Sequence, residues 1–302
     1  MIAGGRIPGT RAKEAFVLRH QSPSPIPILI AVPHAGRSYP ADLLQIMRQP
    51  EQATLRLEDR LIDLVAETVA AETGAHLLVA NAPRAMIDLN RATEDMDWDM
   101  VAGGPPATVP RHAAGHRSRS GLGLVPRRLP GQGELWRRRL SPGELAERIE
   151  QVHAPYHRQL GRSLEALREQ WGSALLIDLH SMPPLGPKHG RNRAADFVLG
   201  DRFGASCDPS LVHAALDHFS MAGQLAAHNR PYAGGYVLDR HGAPRRGHNA
   251  MQIEVCRTAY LDSQLCDTAP GMAVVVEVLS GLVRILADEL IGRSDGLAQA
   301  AE

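Results

Sequence analysis

Short apolar runs alternate along this chain with segments that show helical spacing, and this alternation strongly limits the folds available to it. The clearest run is Ile28–Val32, which is too uniformly apolar for a strand with one face in water. The pattern favours an α/β fold, a three-layer αβα arrangement with a central, mostly parallel mixed sheet. Further strands are predicted at His76–Ala80, Ala174–Asp178, Asp196–Leu199 and Met251–Val255.

Four segments carry the spacing or the end signals of helices. Ser141 and Glu144 can form a capping box at the start of one helix, which we expect to bend or break near Pro155. The predicted helices are Leu55–Glu72, a helix that begins at Ser141, one from Pro209 to about Ala227, and one from Gly271 to about Ile291.

Composition and charge exclude several classes of protein. Lys+Arg and Asp+Glu are both 33 in 302 residues, so no net charge favours nucleic acid or an anionic membrane as a partner. The three cysteines form no CxxC pair and indicate reduced thiols. The first 20 residues lack the apolar core of a signal peptide. We therefore expect a single cytoplasmic domain over residues 1–302, with homo-oligomerisation left open.

The segment at about 101–140 differs from the rest of the chain because it is rich in Gly, Pro and Arg and lacks periodicity. Residues 111–148 contain nine arginines against three glutamates. A loop of this length inside a domain is usually functional or disordered. We consider two interpretations, a solvated irregular insertion and an electropositive cover that favours an anionic substrate.

Two histidines directly follow predicted strands. His34 comes after Ile28–Val32, and His180 comes after the run that ends at Asp178. Sites in open parallel sheets lie beyond the carboxyl ends of the strands. Either histidine alone could be a hydrogen-bonded core residue, but two in equivalent places favour metal ligands.

A zinc site in a hydrolase needs a third protein ligand, and Glu58 and Asp59 are the candidates. They lie 25 residues or less after His34, which is too far for a local zinc motif. The pattern alone therefore supports this assignment only weakly.

Two further segments carry charged residues in apolar surroundings. Arg84, Asn90 and Arg91 can bind a carboxylate, because a guanidinium group presents a planar fork of donors. The arginines could instead be surface charges or structural partners of Asp88. Glu254 lies within an apolar strand and fits a general base, although it could simply pair with Arg257.

Together, these residues and their neighbours resemble the N-formylglutamate amidohydrolase family. The resemblance runs in order from about Ile28 to Asp262. It is carried by PHAG, EDRLID, PRAMIDLNR, DLHS, NRPYAGGY and MQIEVCRTAYLD, with GLGLVPR and HAPYH as further features. It implies a hydrolase fold similar to zinc carboxypeptidases and aspartoacylases.

The resemblance also implies roles for individual residues. His34, His180 and Asp59 (with Glu58 as the alternative) would bind one Zn²⁺ per chain, and Glu254 would be the general base. Arg84 would contact a carboxylate or the oxyanion, Asn90 and Arg91 would hold a substrate carboxylate, and Asp178 would support His180. Tyr232, Gly234 and Gly235 would form a loop against the substrate.

The activity implied is hydrolysis of N-formyl-L-glutamate to formate and glutamate, in amino-acid and specifically histidine breakdown. The partner is thus a small anionic N-acyl amino acid. Other possibilities are a deacylase or carboxypeptidase-like enzyme for another N-acyl amino acid or short peptide, a non-catalytic binding protein on this fold, and, on the Arg-rich segment alone, nucleic-acid binding.

Overall fold

The computed structural model describes residues 1–106, 120–187, 190 and 193–299. The chain divides into two compact units, and each unit is assembled from several stretches of sequence. Unit 1 comprises Met1–Val17, Pro33–Glu58 and Val79–Gln159, and unit 2 comprises Leu18–Val32, Asp59–Leu78 and Leu160–Glu302. A single domain over the whole chain stays a prediction.

Eight of the strands form one mixed sheet. The strands of the described residues are β1 (Ile2–Gly4), β2 (Phe16–Arg19), β3 (Ile28–Val32), β4 (His76–Ala80), β5 (Arg128–Leu129), β6 (Gly133–Glu134), β7 (Ala174–Met182), β8 (Phe197–Gly200), β9 (Ala226–His228) and β10 (His248–Cys256). The order in the mixed sheet is β1-β2-β4-β3-β7-β10-β8-β9. Strands β5 and β6 form a separate antiparallel pair.

The centre of the sheet is parallel, as the sequence predicts. Strand β7 pairs in parallel with both β3 and β10, whereas β8 runs antiparallel to β10 and parallel to β9. Every residue of β3 and of β7 is buried. Strands buried on both faces need continuous apolar sequence, which explains why β3 was recognisable without alternation. The α/β class with a mostly parallel mixed sheet is therefore confirmed.

The α-helices that the structure describes are α1 (Ala41–Ile46), α2 (Pro50–Leu57), α3 (Ile62–Thr73), α4 (Pro142–Arg148), α5 (Ala154–Trp171), α6 (Pro209–Met221), α7 (Tyr236–His241) and α8 (Gly271–Gln299). Helices α3 and α6 both contact α8. None of the helices in the described residues is long and apolar enough to cross a membrane.

The predicted single helix over Leu55–Glu72 is wrong. The structure has α2 and α3 there, separated by residues 58–61, and Leu61 takes the left-handed φ of 56°. That conformation is uncommon for a branched residue and ends any continuous helix. Asp59 therefore lies in a junction between two helices rather than in the first turn of one.

Three other helix boundaries also differ from the prediction. The capping box of Ser141 and Glu144 is present, but the expected bend near Pro155 takes the form of a π-helical turn at Ile149–His153. Helix α6 ends at Met221, before the predicted limit near Ala227, because the chain turns into β9. Helix α8 runs further than expected, to Gln299.

The Arg-rich segment is only partly described. Residues 107–119 lie outside the described residues, and the rest includes β5, β6 and isolated bridges such as Met47 to Trp136. Within this described part the chain is held by backbone pairing, so it is not wholly irregular. Whether it acts as a cover stays a prediction.

Candidate metal centre

In unit 1, His34 belongs to a buried chain of polar groups that begins just beyond β3. Its Nε2 lies 2.7 Å from Oδ1 of Asp88, and both side chains are almost fully inaccessible to solvent. Asp88 also accepts a hydrogen bond from Nε of Arg84 at 2.9 Å and one from the backbone N–H of Asn90 at 2.8 Å. Arg84 is thus an ion-pair partner of Asp88, which was one of the interpretations considered for the two arginines.

Asp88 remains ionised despite complete burial. Burial alone would raise the pKa of the Asp88 carboxyl, but the guanidinium groups of Arg84 and Arg91 and the hydrogen bond with His34 hold that pKa well below its usual range. A carboxylate at Nε2 accepts the ring proton there and leaves the lone pair of His34 on Nδ1. His34 is therefore set to offer Nδ1 as a ligand atom.

In unit 2, His180 sits between two carboxylates. Its Nε2 lies 2.9 Å from Oδ2 of Asp178, and its Nδ1 lies 2.9 Å from Oδ2 of Asp59. Asp178 and His180 are two residues apart on β7, so their side chains share a face of the sheet. This repeats the arrangement of His34, with a carboxylate on Nε2.

The pKa of His180 reflects this pair of neighbours. Burial alone would lower the pKa of the imidazole, but Asp178 and Asp59 raise it well above its ordinary value. Asp59 in turn lies 3.5 Å from Nη2 of Arg257, whose Nε donates to Ser181 at 3.1 Å. The Asp59 carboxylate therefore lies between the imidazole of His180 and the guanidinium group of Arg257.

Glu254 lies beside His180 on the neighbouring strand. The parallel register of β7 and β10 pairs Glu254 with His180 and Gln252 with Asp178, so these four side chains share one face. Oε1 of Glu254 accepts a hydrogen bond from Nε2 of Gln252 at 2.8 Å, and Glu254 is buried. Gln252 therefore orients the carboxylate of Glu254. Gln252 was not predicted as a site residue, although its place two residues before Glu254 on a strand puts both side chains on one face.

His34, Asp59 and His180 form a group that could hold a metal ion. Each is buried and offers one ligand atom, and these atoms lie within 4.8 Å of one another. Glu58, the alternative to Asp59, does not belong to this group among the described residues. Two imidazoles and one carboxylate are a donor set that suits zinc, and Asp88 and Asp178 supply the outer carboxylates that metal-binding histidines usually have.

Three side chains of unit 1 form hydrogen bonds with backbone carbonyls of the segment that carries Asp88. Arg148 donates to the carbonyl of Met86 at 3.0 Å; His157 bonds the carbonyl of Leu89 at 2.9 Å, and His153 that of Arg91 at 2.8 Å. All three are buried. We call Arg148, His153 and His157 the carbonyl platform. The HAPYH motif singled out the two histidines, but no role was predicted for them or for Arg148.

The predicted carboxylate-binding residues lie in the segment held by this platform. Asn90 is buried, and Arg91 donates from Nε to the carbonyl of Leu122 at 2.9 Å and from Nη1 to that of Asn90 at 2.6 Å. Nε of Arg91 also lies 3.9 Å from Asp95. These bonds fix the direction of the guanidinium group. Binding of a substrate carboxylate by Asn90 and Arg91 stays a prediction.

The predicted substrate loop, residues 231–235, lies in unit 2. Tyr232 packs against a buried cluster of Met182, Val198 and Cys256. Gly234 has φ of +96°, and a Cβ there would lie 2.4 Å from Cδ2 of Leu238. Gly235 is the residue that precedes α7. The loop thus needs glycine at position 234 both for its backbone conformation and for its close packing.

A mixed α/β sheet, a buried His-Asp-His group that could hold a metal ion, and a buried glutamate beside one of the histidines suit a metal-dependent hydrolase. The family model of the N-formylglutamate amidohydrolases matches residues 26–261. The chain belongs to this family. The predicted resemblance is thus confirmed, and with it a hydrolase class that acts on an amide bond.

Individual relatives agree with this placement. The chain is 30% identical over 272 residues to an N-formylglutamate deformylase of Pseudomonas aeruginosa, covering 85% of this chain and 93% of that protein. It is 33% identical over 240 residues to one from Pseudomonas putida, covering 78% and 82%. The crystal structure of an N-formylglutamate amidohydrolase from Ralstonia eutropha JMP134 has a TM-score of 0.82 at 29% identity, over 91% of this chain and 98% of that chain.

Proposed function

We propose that this chain is a zinc-dependent amidohydrolase that cleaves N-formyl-L-glutamate to formate and glutamate. The observation that carries the proposal is the buried group of His34, Asp59 and His180, found in a chain whose relatives are N-formylglutamate deformylases. The substrate is a small anion, and we expect the reaction to take place in the cytoplasm as part of histidine breakdown.

The chain would hold one zinc ion through Nδ1 of His34, Nδ1 of His180 and a carboxylate oxygen of Asp59. Bound zinc supplies Lewis acidity toward the acyl carbonyl and the attacking water. Asp88 and Asp178 would keep the two Nε2 atoms protonated, which would leave the Nδ1 atoms of His34 and His180 available as ligands.

Glu254 would be the general base. Its carboxylate takes a proton from the attacking water as the oxygen bonds to the formyl carbon, and then gives that proton to the leaving amide nitrogen. Burial and the hydrogen bond from Gln252 fix the carboxylate in one orientation. The register beside His180 supports this role, because it places the base on the strand next to a predicted metal ligand.

Binding of the substrate carboxylates would fall to Arg84, Asn90 and Arg91. Nε of Arg84 donates to Asp88, which fixes the direction of the guanidinium group, and a guanidinium held in one direction is preorganised to bind an anion. Arg84 could also stabilise the oxyanion. Tyr232, Gly234 and Gly235 would form the wall of the pocket that approaches the substrate backbone.

The test is a comparison of kcat/KM for N-formyl-L-glutamate, N-acetyl-L-glutamate, N-succinyl-L-glutamate and N-formyl-L-aspartate, with zinc present. We expect N-formyl-L-glutamate to exceed each of the others by at least about tenfold, as a difference of about 1.4 kcal/mol in transition-state binding gives. Faster turnover of another N-acyl compound would replace the substrate but keep the amidohydrolase. No turnover of any of them by zinc-loaded protein would favour a binding protein on this fold.

A further inference from the structure

Unit 1 contains a cavity that the proposed hydrolysis does not use. Its volume is about 250 Å³, and its lining includes five arginines and two carboxylates. The lining residues are Arg48, Asp99, Met100, Arg127, Glu134, Trp136, Arg137, Arg138 and Arg139. The lining thus has an excess of positive charge, although the whole chain has 33 basic and 33 acidic residues.

The two lining carboxylates and two of the arginines are already paired. Glu134 accepts from Arg127 at 3.1 Å and from Arg128 at 3.0 Å. Asp99 is 83% exposed and lies 3.7 Å from Arg127, so solvent screens most of its charge. Arg138 binds both oxygens of Glu144, at 2.7 and 3.0 Å. These pairs leave three arginines of the lining, Arg48, Arg137 and Arg139.

These three arginines have no carboxylate partner among the described residues. Nε of Arg48 donates to the carbonyl of Trp136 at 2.9 Å. Arg137 donates from Nε to the carbonyl of Met47 at 3.1 Å and from Nη2 to that of Arg48 at 3.4 Å. Bonds to neutral carbonyls fix the side chains without neutralising their charge, which leaves other guanidinium N–H groups for a ligand.

Backbone pairing holds the two strands of chain that carry these side chains. Met47 and Trp136 form an antiparallel bridge, the N–H of Arg48 donates to Leu135, and the N–H of Arg137 donates to Ile46. The indole N–H of Trp136 is bonded to the carbonyl of Pro126 at 2.7 Å. The cavity wall is therefore built by the fold and does not depend on long side chains meeting by chance.

From this geometry we propose that the cavity binds a small multivalent anion through Arg48, Arg137 and Arg139. Guanidinium groups match the oxygens of phosphate and of carboxylate groups equally well, so the ligand is a compact polyphosphate or polycarboxylate. The volume fits a small metabolite rather than a cofactor of nucleotide size. The site is independent of the proposed hydrolysis and of its metal ion.

The experiment is isothermal titration calorimetry of the full chain with inorganic pyrophosphate and, separately, with citrate, at fixed ionic strength. We expect one of the two anions to bind once per chain and the other at least tenfold more weakly, which identifies the charged group of the ligand. The double variant Arg48→Gln, Arg137→Gln should lose at least tenfold in affinity. Arg158→Gln, an exposed arginine of the same unit outside the cavity, should bind as the wild type does.

A second variant covers the case in which the double variant fails to fold. The side chain of Arg139 is exposed and donates no hydrogen bond among the described residues, so Arg139→Gln leaves the fold intact and should weaken binding at least threefold. Failure of both anions to bind would overturn the proposal, as would binding that is unchanged in the folded cavity variants. Binding that survives in them and disappears in His180→Ala would place the anion on the metal ion, and would also overturn it.

Discussion

His34 and His180 use their two ring nitrogens for different purposes. In each, Nε2 is bonded to a buried carboxylate, Asp88 for His34 and Asp178 for His180. A core histidine needs no carboxylate on Nε2, so the presence of this contact in two separate stretches of chain calls for an explanation. It follows directly if both Nδ1 atoms bind a metal ion.

The first prediction concerns the outer carboxylate of His180. Asp178→Asn removes the charge that holds the ring and strengthens its lone pair, so zinc affinity should fall by about 10- to 100-fold. The measurement is competition for zinc with a chromogenic chelator. Asp217→Asn is the matched control. It removes the same kind of Asp–His pair, that of Asp217 with His213, at a position exposed to solvent. Equal zinc affinity of both variants would show that Asp178 does not support a ligand.

The second prediction concerns the proposed base. Glu254→Gln keeps the shape of the side chain but removes its ability to accept a proton, so kcat should fall by about 10²- to 10⁴-fold. KM and zinc content should change little. The measurement is formate release under saturating substrate, with Glu147→Gln, an exposed glutamate, as control. A Glu254→Gln enzyme with wild-type kcat would leave the pairing of Glu254 with a neighbouring arginine as the better explanation.

At the scale of elements, the loop of residues 231–235 is shaped by one glycine. Gly234→Ala places a Cβ against Leu238 and strains a backbone with φ of +96°. We expect unfolding free energy to fall by about 1–3 kcal/mol and KM to rise. Gly223→Ala separates the two effects, because Gly223 has φ of +68° but nothing within 4 Å of the added atom. An unchanged KM in Gly234→Ala would remove this loop from substrate binding.

The carbonyl platform makes a prediction about the segment that it supports. His157→Gln weakens the bond to Leu89, and a buried carbonyl with a poorer partner costs about 1–3 kcal/mol of stability. If the platform positions Asn90 and Arg91, KM for N-formyl-L-glutamate should rise severalfold while kcat changes less. The control is His213→Gln, whose side chain is 80% exposed. Lower stability with unchanged KM and kcat would mean that the platform is structural only.

How far the sequence predicts these elements depends on how local their signals are. The bounds of β3 and β4 match the predicted ones, because each is a dense apolar run closed by turn residues. The break at Leu61 could not be foreseen, since nothing in the local sequence signals a left-handed leucine and tertiary contacts must hold it. The role of Asp59 as a metal ligand was also uncertain from the sequence, because its distance from His34 along the chain matches no short motif.

At the scale of the whole molecule, the three proposed ligands come from positions 34, 59 and 180, so the unfolded chain has no preformed site. A metal ion that binds only the folded chain must then stabilise it. At a free zinc concentration of about 100 times Kd, the free energy of unfolding should rise by about 2.7 kcal/mol. The measurement is the thermal unfolding midpoint with and without zinc. Asp59→Asn should show little increase; an equal increase in this variant would place the zinc elsewhere.

The chemistry of the family could be inferred from sequence because its motifs are short and keep their order. PHAG follows β3 as predicted, whereas DLHS lies within β7, which runs to Met182 rather than ending at Asp178. His34 and His180 both belong to the group that could hold a metal ion. The supporting residues were harder to infer: Gln252, Arg148 and Arg257 act through contacts with residues that are distant in sequence or on another strand. A single sequence gives the pattern within an element but not these cross-element contacts.

The most direct test of the central claim is metal content by elemental analysis, measured together with formate release, for the wild type and for the variant His34→Ala, His180→Ala. We predict close to one zinc per chain and active enzyme for the wild type, with both lost in the variant. Zinc that remains in the variant, or a wild type that releases formate at the same rate after complete removal of metal, would contradict the account.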